Sequence, residues 1–414
     1  MIANRIRRVL VYTHNSIGLG HVFRTLAVIT GIRKWSPDID FMVLSGTSVP
    51  HVLMRQGIEV VKLPGIKKAV EETGSPLKPR FLRNLPVEDV LKFRQTIIRE
   101  AHAFFEPDVV MVEHYLAGLS GEITPLLMEK KACKGSPKDF ALVHLSRGIM
   151  DKGNRPVALT SYMDASCSLS VPPVYDFRYV FDDPSPVGDK GSAWGTPQIG
   201  SPIRYLGKIA DKSIAELPDR EVILTRFRLT EKPIILLYLS RHGNIADLSK
   251  RLMTAIDMAG LTWNFQIIMV ADPYLNPEII ENLRADIRFK HVRFLPFFYP
   301  LIDLIHASEI VICRAGYNVI NEILLTDTRA IVIPEHHPSG EQEERASRLP
   351  LDNIVVLSEE AVLSLPPVQV LLGLINRKKT ALGLNFDKYA IGKKIIDELE
   401  TWTALRHRVP FDSC

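Results

Sequence analysis

The stretch at 310–349 constrains this chain more than any other. Four apolar residues, Ile310, Val311, Ile312 and Cys313, run into Arg314-Ala315-Gly316-Tyr317-Asn318. A helical pattern follows, with Val319, Ile320, Ile323 and Leu324 on one face and Glu322 on the other. A second apolar run, 330–333, stops at Pro334 and opens into a polar loop at 335–341 before another helix. Strand, glycine turn, helix, strand, loop, helix is the unit of a parallel α/β sheet. Ligands of such sheets gather at the carboxyl ends of the strands, where the turn 314–318 and the loop 335–341 both fall. A helix opening near Asn318 offers free N–H groups and a positive dipole end to a phosphate. Glu322, one turn in, is placed to accept two hydrogen bonds from a ribose diol. These residues fit a nucleotide. The same turn also serves as a plain strand–helix connection, with Glu322 as a dipole partner.

The pattern recurs along the chain. Apolar runs at 9–12, 41–44, 60–63, 109–112, 141–145 and 177–181 alternate with helical segments, the first helix spanning 22–33. After the Gly-, Pro- and Ser-rich stretch 188–202 comes a run at 203–207, and charged residues then continue to Lys232. A second series follows at 234–239, 265–270, 292–295, 310–313, 330–333 and 354–357, and an amphipathic helix at 385–402 ends it. Alternation of this kind predicts doubly wound sheets, and 414 residues suit two domains. The expected division is 1–207, 208–385 and a closing helix within 386–414.

Composition narrows the function classes. Apolar residues at 46% and charged residues at 24% describe an ordinary globular chain, and a net charge of +4 does not suit a dedicated nucleic-acid binder. Cys133, Cys167, Cys313 and Cys414 are scattered without a C-x-x-C pair, which argues against a zinc cluster or disulfide framework and fits a reducing cytoplasm. The apolar run after the basic N-terminus breaks at Thr13-His14-Asn15, too early for a signal peptide. No run approaches the roughly 18 apolar residues of a membrane span. The expected location is the cytoplasm, in solution or peripheral to the inner face of the membrane.

Further chemistry-bearing residues cluster at predicted strand ends. Gly18-Leu19-Gly20-His21 follows the first strand, and two glycines there permit a tight turn and close approach to a ligand. His21 at a helix N-terminus would be favoured as a neutral ring by the dipole, which suits a general base. His14 is a rival of the same kind, and Arg24 a candidate for an anionic group. Glu113-His114 ends another strand and either positions an acceptor, acts as base or serves the structure alone. Ser240-Arg241-His242-Gly243-Asn244 follows the first strand of the second series.

These segments resemble the GT-B glycosyltransferases, closest to the MurG-like family 28 group. The resemblance rests on Gly316, Glu322, Pro334 and Glu341-Gln342 in the second half. In the first half it rests on the G-x-G-H-x-x-R loop at 18–24, which is also similar to that of nucleotide-sugar hydrolases. It implies two Rossmann-like domains facing a cleft, with the terminal helix crossing back to the first domain. It implies a nucleotide-diphosphate sugar donor, UDP-linked, in the second domain, and an acceptor in the first. Arg314, Gly316, Tyr317 and Asn318 would meet the diphosphate with Arg241, His242, Gly243 and Asn244. Glu322 would take the ribose, Phe297 the base pocket, and Glu341 with Gln342 the sugar. The loop at 240–244 departs from the family in having one glycine.

The expected reaction is metal-independent transfer of a hexosyl group to an acceptor hydroxyl, with His21 as base. Gly18, Gly20, Arg24, Glu113 and His114 would line the acceptor side. No cofactor is expected beyond the sugar nucleotide, and Asp182-Asp183 is not read as a metal motif. The acceptor is left open among saccharide, lipid-linked and small molecules. Two alternatives stand beside this: a nucleotide-sugar hydrolase using water, and a non-catalytic sugar-nucleotide binder. Residues 62–99 carry nine Lys/Arg against four acidic residues, with Phe81, Leu82, Leu85 and Phe93 interleaved. They are a candidate surface for peripheral membrane contact, and equally a solvated helix and loop.

Overall fold

Every apolar run named above becomes a strand. A computed structural model describes residues 6–14, 19–68, 77–148, 174–184, 202–239, 244–336 and 340–406. They form two units, Met1–Ile209 with Asp387–Cys414, and Ala210–Phe386. The first unit holds β1 (Arg8–Thr13), α1 (Gly20–Arg33), β2 (Asp40–Ser45), α2 (His51–Met54), β3 (Glu59–Lys62), β4 (Ile66–Lys68) and β5 (Leu77–Pro79). It continues with α3 (Val87–Phe105), β6 (Val109–Glu113), α4 (Thr124–Cys133), β7 (Ala141–Arg147), β8 (Phe177–Phe181) and β9 (Ile203–Tyr205). Its main sheet runs β3-β2-β1-β6-β7-β8-β9, parallel throughout.

The second unit holds α5 (Arg220–Phe227), β10 (Ile234–Tyr238), α6 (Ile245–Met258), β11 (Gln266–Val270), α7 (Pro277–Ala285), β12 (Val292–Leu295) and α8 (Ile302–Ala307). After these come β13 (Ile310–Cys313), α9 (Tyr317–Thr326), β14 (Arg329–Val332), α10 (Glu341–Ser347), β15 (Ile354–Val356), α11 (Glu359–Ser364) and α12 (Val368–Asn376). The sheet runs β12-β11-β10-β13-β14-β15, again parallel. The last helix, α13 (Lys388–Arg406), belongs to the first unit.

The apolar runs are unbroken because both faces of each sheet are covered. In β10, Ile234 and Leu236 enter one core while Ile235 and Leu237 enter the other. Val311 and Cys313 of β13 separate in the same way from Ile310 and Ile312. In both sheets the order reverses beside the first strand. β1 lies between β2 and β6, and β10 between β11 and β13. Such a reversal point, at the carboxyl end of the strands, is where ligands of doubly wound sheets bind.

Two local features differ from the sequence reading. The antiparallel hairpin of β4 and β5 was not expected, because its short basic strands show no apolar alternation. Glu322 was assigned to the outer face of its helix, but α9 is buried almost all round, Asn321, Glu322 and Thr326 included. The neighbouring α8 packs against α9. No helix among the described residues is long and apolar enough to cross a membrane.

Candidate functional site

The reversal point of the first sheet gathers ionisable side chains. β1 ends at Thr13, which lies in register with Glu113 at the end of β6. His14 follows the first strand and His114 the second, so both histidines and Glu113 reach the same edge. Leu19 precedes α1 as its N-cap, and His21 lies in the first turn. His21 Nδ1 is 2.6 Å from Glu113 Oε2, and Arg24 pairs with Glu113 Oε1. The imidazole rings of His14 and His114 stand 4.3 and 4.8 Å from that of His21, centre to centre. His114 takes up a left-handed backbone, φ 72°, a conformation that turns the chain sharply after Glu113.

Burial decides the charge of this cluster. It holds the His14 and His114 imidazoles well below their ordinary pKa, and the positive charges around them, Arg24 and Arg147 included, push the same way. His144, whose Nε2 lies 3.0 Å from the His114 carbonyl, is pushed down by burial to about 3. The cluster is therefore one buried carboxyl group clasped by Arg24 and His21, beside imidazoles whose charged form burial disfavours. Arg24 was expected to meet an anion. It is buried, with its guanidinium on the Glu113 carboxyl group.

At the second sheet's reversal point, Gly316 is the N-cap of α9, and no side chain caps the helix. A Cβ at Gly316 would meet nothing within 4 Å, so the backbone there lies open to approach. Arg314, expected at a diphosphate, is buried and pairs with Glu359 at 2.7 Å. Glu359 also accepts from the Asn244 backbone N–H at 3.3 Å, so it ties the 314–318 turn to the start of α6. Tyr317 is buried, and the Arg345 guanidinium lies 5.7 Å from its ring centre. Asn318 stands in the open first turn of α9.

Glu322 is buried, and its Oε2 accepts no hydrogen bond among the described residues. Burial drives its carboxyl well above the usual carboxylate range, and Asp211 and Asp303 add to the shift. Asp303 is itself neutralised by Lys212 at 2.6 Å and approached by Arg226 at 3.5 Å. The Tyr299 hydroxyl, bonded to Asp211, is likewise raised by burial. Burial thus disfavours the charged form of Glu322.

The pair at 341–342 is engaged inside its unit. Glu341 is buried against Arg345, whose Nη1 donates to the Ala315 carbonyl at 2.6 Å. Gln342 donates to Glu335 at 2.9 Å and accepts from the Glu335 backbone N–H at 3.1 Å. The two residues brace the 314–318 turn and the loop after β14. Phe297 is half-buried, while Phe298 packs on Phe227 and the core. Gly20 begins α1. Gly18, Arg241, His242 and Gly243 lie outside the described residues.

Sequence reasoning brought His21, Glu113, His114 and His14 to one edge, and the 314–318 turn with Glu322 to another. It missed Glu359, Arg345, Asp211 and Tyr299. Their partners are distant in sequence, and nothing local marks them.

A family model described as the glycosyltransferase family 28 C-terminal domain matches residues 248–380. Among curated relatives is a UDP-N-acetylglucosamine–N-acetylmuramyl-(pentapeptide) pyrophosphoryl-undecaprenol N-acetylglucosamine transferase from Listeria monocytogenes. It is 24% identical over 356 residues, 83% of this chain and 84% of that protein. The Exiguobacterium enzyme of the same name is 20% identical over 354 residues, 83% of this chain and 85% of its own length. Among solved structures, Acinetobacter baumannii MurG is similar with a TM-score of 0.51 at 14% identity, covering 95% of this chain and 99% of that one. The S. aureus MnaA–UDP structure gives 0.61 at 11%, covering 99% and 100%. At such identities the structural likenesses speak for the fold alone, and that fold is GT-B.

Proposed function

We propose that this MurG-like family 28 glycosyltransferase moves a sugar from a UDP-sugar to an acceptor hydroxyl, with His21 as general base and no catalytic metal. The observation that carries the reading is the contact of His21 Nδ1 with Glu113 Oε2 at 2.6 Å. Nδ1 faces Glu113 Oε2 and, at 3.3 Å, Arg24 Nη2, so Nε2 is the nitrogen assigned to the acceptor's proton. Such a base takes the acceptor's proton as the acceptor oxygen attacks the anomeric carbon, and Glu113 stabilises the imidazolium that forms. The new C–O bond forms as the bond from the anomeric carbon to the diphosphate oxygen breaks, and UDP leaves with the electron pair. The N-terminus of α9, which no side chain caps, suits the charge on that leaving group. Glu322 serves the ribose, and Glu341 with Gln342 holds the donor loop in shape.

The donor to try first is UDP-N-acetylglucosamine, since the relatives are named for transfer of that sugar. Their names also specify a lipid-linked acceptor, and this chain has a face that suits one. Phe81, Leu82, Leu85 and Phe93 are exposed beside Lys78, Arg83, Lys92 and Arg99. Arg94, within the same basic stretch, is no part of that face, because it is buried on Glu122. We assign this surface to peripheral contact with the inner face of a membrane.

The test is release of UDP from UDP-N-acetylglucosamine, with and without a lipid-diphosphate acceptor. Acceptor-dependent release is expected, and His21→Gln should lower it by roughly 10²–10⁴-fold. Free sugar released at the same rate without acceptor would make the protein a hydrolase instead. Nothing in the site favours water over an acceptor hydroxyl.

A further inference from the structure

We propose that His14, His21 and Glu113 form a binding site for a borderline transition-metal dication such as Zn²⁺, and that its occupancy blocks sugar transfer. One donor atom from each of the three residues lies within 4.8 Å of the others. A site of two imidazoles and one carboxylate is a set that zinc and its first-row neighbours take. Mg²⁺ and Ca²⁺, which call for oxygen ligands, are poorly served by it.

The three residues are held by regular structure. His14 follows β1, Glu113 closes the adjacent β6 in register with Thr13, and His21 lies in the first turn of α1. The rings of His14 and His21 are 4.3 Å apart, so small rotations bring their nitrogens onto one ion. Arg24 sits on Glu113 Oε1 with its Nη2 also 3.3 Å from His21 Nδ1, while Oε2 faces His21, so an ion must displace the guanidinium from the ring or be held by the other ring nitrogen. The guanidinium leaves one carboxylate oxygen for a metal and weakens the ion's hold, which makes capture reversible. The blocking effect rests on the base role of His21. The site itself does not.

Metal-free protein would be titrated with Zn²⁺ by calorimetry and with Co²⁺ by visible absorption, alongside His14→Gln and His21→Gln. His336→Gln serves as a control, since His336 is exposed and lies in the other unit. One equivalent should bind, with affinity lowered by more than about tenfold in both site variants and unchanged in the control. His21→Gln, at a position less buried than His14, guards against a folding failure of the His14 variant. Transfer should fall as Zn²⁺ is added, return with a chelator, and ignore Mg²⁺. Absence of stoichiometric binding, or binding unaltered in both variants, overturns the site. Zinc bound at the site with transfer undiminished overturns the blocking role. If no donor and acceptor pair gives any transfer, the proposed function fails while the binding data still decide the site.

Discussion

At the scale of single residues, the two sheet edges differ in how they treat a carboxylate. Glu113 is buried beside Arg24 and His21, which pair with it. Glu322 is buried near Asp211 and Asp303, whose charges oppose its ionisation. A carboxyl whose folded pKa is raised binds a proton more tightly in the native state. Its contribution to stability is full below the unfolded value of 4.5 and is lost as pH rises through the folded value. Glu322→Gln, which stays neutral, should therefore gain stability relative to the parent as pH climbs above 4.5, with little difference below it. Denaturant melts across pH check this, and a constant difference would show that Glu322 is ionised in the native protein. The types and edges of these residues were legible in the sequence, because they abut apolar runs. Their protonation was not. For Glu322 it depends first on burial and then on Asp211 and Asp303, which reach it only through the fold.

At the scale of elements, α1 and α13 meet at glycines. A Cβ on Gly31 would strike the Lys388 carbonyl, and one on Gly392 would strike the Gly31 backbone. Trp35 adds a hydrogen bond from its indole to the Tyr389 carbonyl at 2.8 Å. Gly392→Ala should thus destabilise by roughly 1–3 kcal/mol through overpacking. Gly373→Ala in α12, where a Cβ meets nothing, should be neutral or stabilising by about 0.5–1 kcal/mol. A Gly392→Ala melt equal to the parent's would mean that the two helices separate at little cost. The strands were readable because each is an apolar run between breakers. The α1–α13 approach was not, since a glycine in a helical pattern carries no sign of its partner. The β4–β5 hairpin was hidden for a related reason, being held by pairing and not by a buried stripe.

At the scale of the whole molecule, two sheets of one topology each place a cluster where the strand order reverses. That much followed from the alternation of strand and helix, and the family 28 match falls on the second sheet's unit. The exposed aromatic and basic face belongs to the first unit. Co-sedimentation with anionic vesicles should weaken with added salt and with Phe81→Ser combined with Phe93→Ser, as expected of joint apolar and electrostatic attachment. Retention unchanged by both would remove the membrane from the account.

The central claim is that the second unit binds a uridine diphosphate sugar, and thermal stabilisation by UDP and UDP-N-acetylglucosamine tests it most directly. A ligand at a hundredfold excess over its Kd should stabilise by about 2.7 kcal/mol. The account predicts such a shift in the parent protein and its loss in Glu322→Ala, each measured against its own ligand-free midpoint. A panel of nucleoside diphosphates and their sugars that leaves the parent's midpoint unmoved would contradict it.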